Sequence, residues 1–119
     1  MKIIPSSILL SLMVITNSYA ATGVIVNQGQ TTLTASNTTK GLPQSIEPGQ
    51  APTFTVDHGS IVRMTYSDNK GHGCTFNING GSSHKGESSV QAASIDGKSV
   101  CYAQTDYYDN YMIEIRTPG

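Results

Sequence analysis

A tyrosine-rich segment near the end of the chain carries the residue types best suited to bind a ligand. Its sequence, TDYYDNY over residues 105–111, interleaves tyrosines with acidic and amide side chains. A tyrosine ring stacks on a sugar or a partner side chain while its hydroxyl forms hydrogen bonds, and carboxylates bind hydroxyl groups or a hard cation. The predicted ligand-binding residues are Tyr102, Asp106, Tyr107, Tyr108, Asp109 and Tyr111. The structural alternative is a hairpin loop whose tyrosines cover an edge of the fold.

Three histidines, His58, His72 and His84, form a second candidate site. If loops brought His72 and His84 to one end of the domain together with Asp68 or Glu87, imidazole and carboxylate groups would be available to zinc or copper. No two histidines have the three-to-five-residue spacing of a metal motif. The spacing therefore favours three independent histidines, and we expect neither a bound metal nor a cofactor.

Catalytic motifs are missing from the sequence, which contains no G-x-S-x-G elbow and no H-E-x-x-H motif. Two carboxylates that met in space would suffice for glycoside hydrolysis, and the candidates are Asp57, Asp68, Asp106, Asp109 and Glu114. A domain this small has little room for a deep pocket with a rigid surround. We therefore expect a protein that binds a ligand rather than an enzyme, with a small hydrolase as the remaining catalytic alternative.

The first twenty residues have the pattern of a secretory signal peptide. Lys2 provides the positive start, an apolar stretch follows it, and Ser18 and Ala20 place small residues at the cleavage site. The apolar stretch is too short to span a bilayer comfortably. We predict that residues 1–20 are removed and that residues 21–119 form one domain, secreted to the periplasm or the extracellular space.

The cysteine content fits this compartment, because the chain has only Cys74 and Cys101. A pair of cysteines in an exported protein is usually bridged, so we predict one disulfide. A thiol nucleophile or a metal-binding pair is the alternative. It is disfavoured because the two residues lie far apart in sequence, each in a strand-like stretch.

The charge of the chain argues against two classes of partner. The formal net charge is −1, and removal of Lys2 takes it to about −2. Nucleic-acid binding requires a basic face, and attraction to anionic lipid requires a cluster of Lys or Arg; the cations of this chain are scattered. We therefore expect no nucleic-acid partner, and a lipid partner is less favoured than a glycan or a protein.

Alternation of apolar and polar residues predicts an all-β fold. Short β-branched runs are separated by turn signals, and no helical period is present. The eight predicted strands are residues 22–27, 30–35, 53–57, 60–67, 74–79, 88–95, 98–104 and 111–116. Residues 45–49 predict a turn, and His58-Gly59 and Asp96-Gly97 predict tight reversals between strands. This pattern indicates a small antiparallel β-sandwich or a short barrel.

The layout, with an opening strand that ends at Asn27, a Pro-Gly turn and then paired hairpins, is loosely similar to small secreted β-sandwiches such as aegerolysins and fimbrial or lectin modules. The similarity concerns architecture and implies no functional residues. Our leading hypothesis is a secreted bacterial protein that recognises a host or environmental ligand, a glycan or a protein, through the tyrosine-rich segment. The alternatives are a periplasmic inhibitor or structural interaction protein and a lipid-targeting β module.

Overall fold

Two β-sheets pack face to face to form the domain. The computed structural model describes residues 20–36, 41–81 and 86–118. The strands in these ranges are β1 (Ala20–Asn27), β2 (Leu33–Ala35), β3 (Ser45–Ile46), β4 (Thr53–Asp57), β5 (Ile61–Ser67), β6 (Gly73–Asn79), β7 (Ser89–Ser94), β8 (Val100–Thr105) and β9 (Asn110–Arg116). One sheet has the order β4-β1-β9-β8 and the other β3-β2-β5-β6-β7. The predicted all-β sandwich is confirmed. The predicted signal peptide lies outside the described residues, apart from Ala20 at the start of β1.

The structure differs from the sequence prediction in its connections. The predicted turn at residues 45–49 begins with a short strand, β3, which pairs with β2. The reversals at His58-Gly59 and Asp96-Gly97 do not close hairpins, because each joins a strand of one sheet to a strand of the other. A dipeptide that permits a sharp turn is equally suited to a hairpin within one sheet and to a crossing between two sheets. The apolar pattern of the flanking strands does not indicate which sheet each strand joins.

The pairing of the first and last strands departs from the antiparallel prediction. β9 lies parallel to β1, with Met112 opposite Val24 and Ile113 opposite Ile25. The other pairs in both sheets are antiparallel. Parallel neighbours need a long crossover connection, and here nearly the whole domain lies between the two strands.

Alternating side chains from both sheets fill the space between them. The residues of β9 alternate between exposed and buried positions, and Tyr111, Ile113 and Ile115 are the buried ones. The rest of the buried apolar set is Ala21, Ile25, Leu33, Ala35, Ile46, Phe54, Val56, Met64, Tyr66, Cys74, Phe76 and Ile78. Successive strand residues point to opposite faces, so the same alternation leaves a second set of side chains on the outer face of each sheet.

A buried amide joins three segments at one end of the sandwich. Asn27 has no solvent exposure, and its side-chain nitrogen donates to the carbonyl oxygens of Thr31 at 2.8 Å and Ile46 at 2.9 Å. Its side-chain oxygen accepts from the Gly29 amide at 2.9 Å. Because each polar atom is satisfied, burial of this side chain costs little.

The predicted disulfide is confirmed and links the two sheets. It joins Cys74 of β6 to Cys101 of β8, with a Cα–Cα distance of 5.9 Å. The two half-cystines belong to different sheets, so the bond holds the layers together beside the core. Such a bond in a small β domain is consistent with an oxidising, extracellular compartment.

Removal of the disulfide should destabilise the fold substantially. The bridge closes a loop with a sequence separation of 27 residues, for which the chain-entropy relation gives about 3.5 kcal/mol. We expect the double variant Cys74→Ala/Cys101→Ala to lose about this much free energy of unfolding in urea titrations. A reducing agent should shift the wild-type curve onto that of the variant and leave the variant unchanged. A wild-type curve insensitive to reduction would contradict this role.

Candidate functional site

The tyrosine-rich segment forms the hairpin loop between β8 and β9, and Asp106 organises that loop. One carboxylate oxygen of Asp106 accepts from the amides of Tyr108 at 2.8 Å and Asn110 at 3.0 Å. The other accepts from the Asn110 side chain at 3.1 Å. The backbone and side-chain amides of Asn110, together with the Tyr108 amide, lower the pKa of Asp106. The carboxylate therefore stays ionised and maintains the turn conformation.

Asp109 fixes the same loop to the rest of the domain. It is only 5% exposed and adopts the left-handed backbone conformation, with φ of 63°. Its carboxylate accepts from the amides of Gly86 at 3.1 Å and Ser88 at 3.3 Å, in the connection that leads to β7. Aspartate is among the few side chains that tolerate this conformation. Asp109 thus holds two loops together.

The adjacent rings of Tyr107 and Tyr108 are exposed at the tip of the loop. They are 67% and 65% exposed, and they contact each other edge to face with ring centroids 5.3 Å apart. The Tyr107 ring also lies beside Gly86. An anchored loop thus presents two large aromatic side chains at the surface, and exposed aromatic rings are groups on which ligands stack.

The other two predicted tyrosines have different positions. Tyr111 is buried, stacks on Phe54 with a centroid distance of 5.8 Å, and donates its hydroxyl to the Asn79 carbonyl at 2.9 Å. Burial raises the pKa of its hydroxyl. Tyr102 is partly exposed on β8, where its hydroxyl hydrogen-bonds to Gln104. The structure therefore brings Tyr107 and Tyr108 to the surface together and places the Tyr111 ring in the core.

A groove lies beside this loop on the outer face of the four-stranded sheet. Its volume is about 450 Å³, and its walls include Thr22, Val24, Thr53, Gln104, Asp106, Asn110 and Met112. The sheet register explains this set, since Met112 lies opposite both Val24 and Gln104. Val24 and Met112 supply an apolar floor, and hydroxyl, amide and carboxylate groups surround it. Asp106 belongs both to the loop and to the groove wall.

Most of the groove was not predicted as a site. Alternation in β1 and β9 already places Val24 and Met112 on the outward face, because Ile25 and Ile113 beside them point inward. That pattern could have identified Val24 and Met112 as two apolar residues on the outer face of the sheet. Their contact across the sheet depends on the parallel pairing of distant strands, for which no local pattern exists.

His58 and His72 occupy separate positions. His58 hydrogen-bonds through Nδ1 to the Gly80 carbonyl at 2.7 Å, and His72 pairs through Nδ1 with Asp96 at 2.5 Å. His84 lies outside the described residues. Within the described ranges, no group of three or more His, Cys, Asp or Glu side chains is arranged to hold a metal ion.

Asp96 is the centre of a hydrogen-bond network in the connection between β7 and β8. Its carboxylate accepts from the amides of Ser99 at 2.8 Å and Lys98 at 3.0 Å, and from the hydroxyl of Ser94 at 2.7 Å. The Ser99 amide foremost, then the Lys98 amide, the Ser94 hydroxyl and His72, lower the pKa of Asp96 far below its usual range. The network fixes the connection that crosses between the sheets.

Comparisons with known proteins identify no relative from which the role of the site could be inferred. No protein-family model matches the chain, and no curated protein shows significant sequence similarity to it. Among the residues that the structure describes, there is no helix of the length and apolarity needed to cross a membrane.

Substitutions in the hairpin loop should separate its structural residues from its exposed ones. Asp109→Ala removes the acceptor for two amides and places alanine at a positive φ, so we expect a loss of about 2 kcal/mol in the free energy of unfolding. Asp109→Asn keeps an acceptor and tolerates the conformation, so its loss should be less than about 1 kcal/mol. Tyr107→Ala should change stability by less than about 0.5 kcal/mol. Equal losses of unfolding free energy for all three variants in urea titrations would contradict the distinction between a structural Asp109 and an exposed Tyr107.

Stability should fall in acid because several aspartates have lowered pKa values. A carboxylate whose folded-state pKa lies below its unfolded value of about 3.9 stabilises the fold above that pH and loses this contribution as the pH falls below it. Asp96 and Asp106 both meet this condition. The free energy of unfolding should decrease from about pH 5 to pH 2, and Asp96→Asn should weaken the dependence. An unchanged pH slope in Asp96→Asn would show that Asp96 does not contribute.

Proposed function

We propose that this protein is a secreted binding protein that holds an oligosaccharide in the groove on the outer face of the four-stranded sheet, with Tyr107 and Tyr108 at one end. The observation that carries the proposal is the composition of the groove. An apolar floor of Val24 and Met112 lies among polar side chains, and the groove wall includes Asp106 of the loop that exposes the two tyrosine rings. Small-molecule sites combine an apolar lining with a few placed polar groups in this way.

The polar groups of the groove match the hydroxyl groups of a sugar. Asn110 and Gln104 each keep at least one amide donor and one carbonyl lone pair beyond the bonds that they form to Asp106, Thr22 and Tyr102. The Thr53 hydroxyl can both donate and accept. A sugar ring presents apolar C–H faces as well as hydroxyl edges, so one face can cover Met112 while the edges bond to the groove walls. The exposed tyrosine rings provide a second apolar surface for the next sugar unit.

Rigidity of the loop supports binding at this position. Asp106 and Asp109 between them accept hydrogen bonds from four backbone amides, those of Tyr108, Asn110, Gly86 and Ser88. A loop that is already ordered loses less conformational entropy when a ligand binds. The aspartates thus serve the proposed site by positioning the tyrosines between them.

A protein partner is the second candidate ligand for the same face. Val100, which is 60% exposed, and Tyr102 extend the apolar surface along β8 beyond the groove. Aromatic side chains are enriched in protein interfaces. This surface would suit a partner larger than an oligosaccharide.

Secretion forms part of the proposal. The N-terminal pattern of a positive start, an apolar stretch and small residues supports export, and the disulfide is consistent with an oxidising compartment. A ligand in that space would be a host or environmental glycan.

A glycan array probed with residues 21–119 tests the function and the site together. We expect the wild type to bind a defined set of oligosaccharides, and the double variant Tyr107→Ala/Tyr108→Ala to bind them at least about tenfold more weakly, because two stacking contacts are lost. Met112→Ser should weaken binding to the same glycans by removing the apolar floor.

The matched control is Ile95→Ala, which removes an exposed apolar side chain from the connection at the opposite end of β8. It should bind like the wild type, and all variants should retain the wild-type melting temperature within a few degrees. An array on which no glycan binds would contradict the proposal and favour a protein partner. Full binding by the double tyrosine variant would place the site elsewhere.

A further inference from the structure

A row of three polar side chains crosses the outer face of the five-stranded sheet. Arg63 of β5 lies opposite Asn77 of β6, and Asn77 lies opposite Gln91 of β7. All three side chains are exposed. Residues paired directly across neighbouring strands have Cβ atoms about 5 Å apart on the same face. The guanidinium and the two amides can therefore contact one ligand.

Among the described residues, these three side chains have no hydrogen-bond or ion-pair partner. The only ion pair among the described residues joins His72 to Asp96, and no described residue hydrogen-bonds to the side chain of Arg63, Asn77 or Gln91. In the next row of the sheet the side chains do have a partner, because the hydroxyls of Thr65 and Thr75 form a hydrogen bond with each other at 2.9 Å.

Charge makes the row distinctive. Arg63 is the only charged residue in the five strands of this sheet. No acidic strand residue on the face competes for its guanidinium. An arginine in such a setting favours an anionic group that it can bind with two parallel hydrogen bonds.

A shallow depression gives the row a defined shape. Its volume is about 360 Å³, and it is bounded by Arg63, Thr75, Asn77, Gln91, Ala93 and Ser94. Ala93 is small and lies on the same face as Gln91, so it leaves space next to the longer side chains. A second depression of about 220 Å³ shares Asn77 and Gln91 and continues towards Ile61, which is 75% exposed.

We propose that this depression is a second binding site, specific for a sugar that carries a carboxylate, such as a sialic or uronic acid. The Arg63 guanidinium binds the carboxylate with two hydrogen bonds. The Asn77 and Gln91 amides each donate to one ring hydroxyl and accept from another. Ile61 contacts an apolar substituent of the sugar at the far end of the second depression.

The backbone of this face disfavours an acidic peptide as the ligand. An extended peptide gains affinity by adding a strand to a free sheet edge, but β6, which carries the central Asn77 of the row, pairs with β5 on one side and with β7 on the other over residues 74–79. The amides and carbonyls of β6 are therefore occupied. Side chains alone face the ligand, and two neighbouring amides suit the adjacent hydroxyl groups of a sugar.

This site is independent of the groove beside Tyr107 and Tyr108, because it lies on the outer face of the other sheet. Its ligand differs in charge from the neutral sugars that the groove can hold. Binding at one site does not require binding at the other, so the two proposals can fail separately.

A titration followed by two-dimensional amide NMR spectra tests the inference. The probes are the methyl glycoside of N-acetylneuraminic acid and the methyl ester of the same sugar, which lacks the charge. We expect the acid to shift the amide signals of residues 63, 77 and 91, and the ester to bind roughly tenfold to a hundredfold more weakly, because the charge-assisted bonds are lost. Arg63→Ala should weaken binding of the acid by a similar factor, and Asn77→Ala by a smaller one.

The matched control is Arg116→Ala, which removes the same charge from an exposed position on β9 of the other sheet. It should bind the acid like the wild type. Equal weakening by Arg63→Ala and Arg116→Ala would show non-specific attraction and overturn the inference. Equal affinity for acid and ester would also overturn it. Shifts confined to β1 and β9 would contradict this site while supporting the groove, whereas shifts confined to β5, β6 and β7 would support this site alone.

Discussion

The parallel pairing of β1 with β9 is the constraint on which the rest of the structure depends. It places the first and last strands at the centre of one sheet, with β4 outside β1 and β8 outside β9. Closing so long a loop costs conformational entropy. Burial of Ile25 and Ile113 against the facing sheet offsets that cost. The same register sets Val24 beside Met112 on the outer face, so the interaction that completes the core also creates the floor of the groove.

Aspartates organise the connections that hold the strands in place. Asp106 closes the β8–β9 hairpin, and Asp96 orders the crossing from β7 to β8. Asp68 does the same between β5 and β6, where burial alone would raise its pKa but the amides of His72 and Lys70 lower it. Three of the five carboxylates that the sequence offers as candidates for chemistry, Asp68, Asp106 and Asp109, thus accept hydrogen bonds from backbone amides. The two proposed ligand sites therefore rely on exposed tyrosine rings and on outward amide side chains.

The two sheets present different outer faces because their outward residues differ in chemistry. On the four-stranded sheet these include valine, methionine and tyrosine beside short polar groups, and the tyrosine-bearing loop extends one end of the face. On the five-stranded sheet they are mostly serine, threonine, asparagine and glutamine, with Arg63 as the one charge among its strands. A disulfide and a shared core hold the two faces in a fixed relation, so ligands at both would be bound by one rigid body.

Local sequence patterns predicted the strands but not which strands lie next to each other in the two sheets. Alternation identified eight of the nine described strands, all except the short β3, because that pattern is set by the backbone geometry of a strand. The compartment suggested the disulfide, and the cluster of tyrosines identified the loop whose tip exposes Tyr107 and Tyr108. Folding was needed to place Tyr111 in the core, to make Asp109 a link between loops, and to align Arg63 with Asn77 and Gln91. Those outcomes depend on sheet order and register, which arise from contacts between residues far apart in the chain.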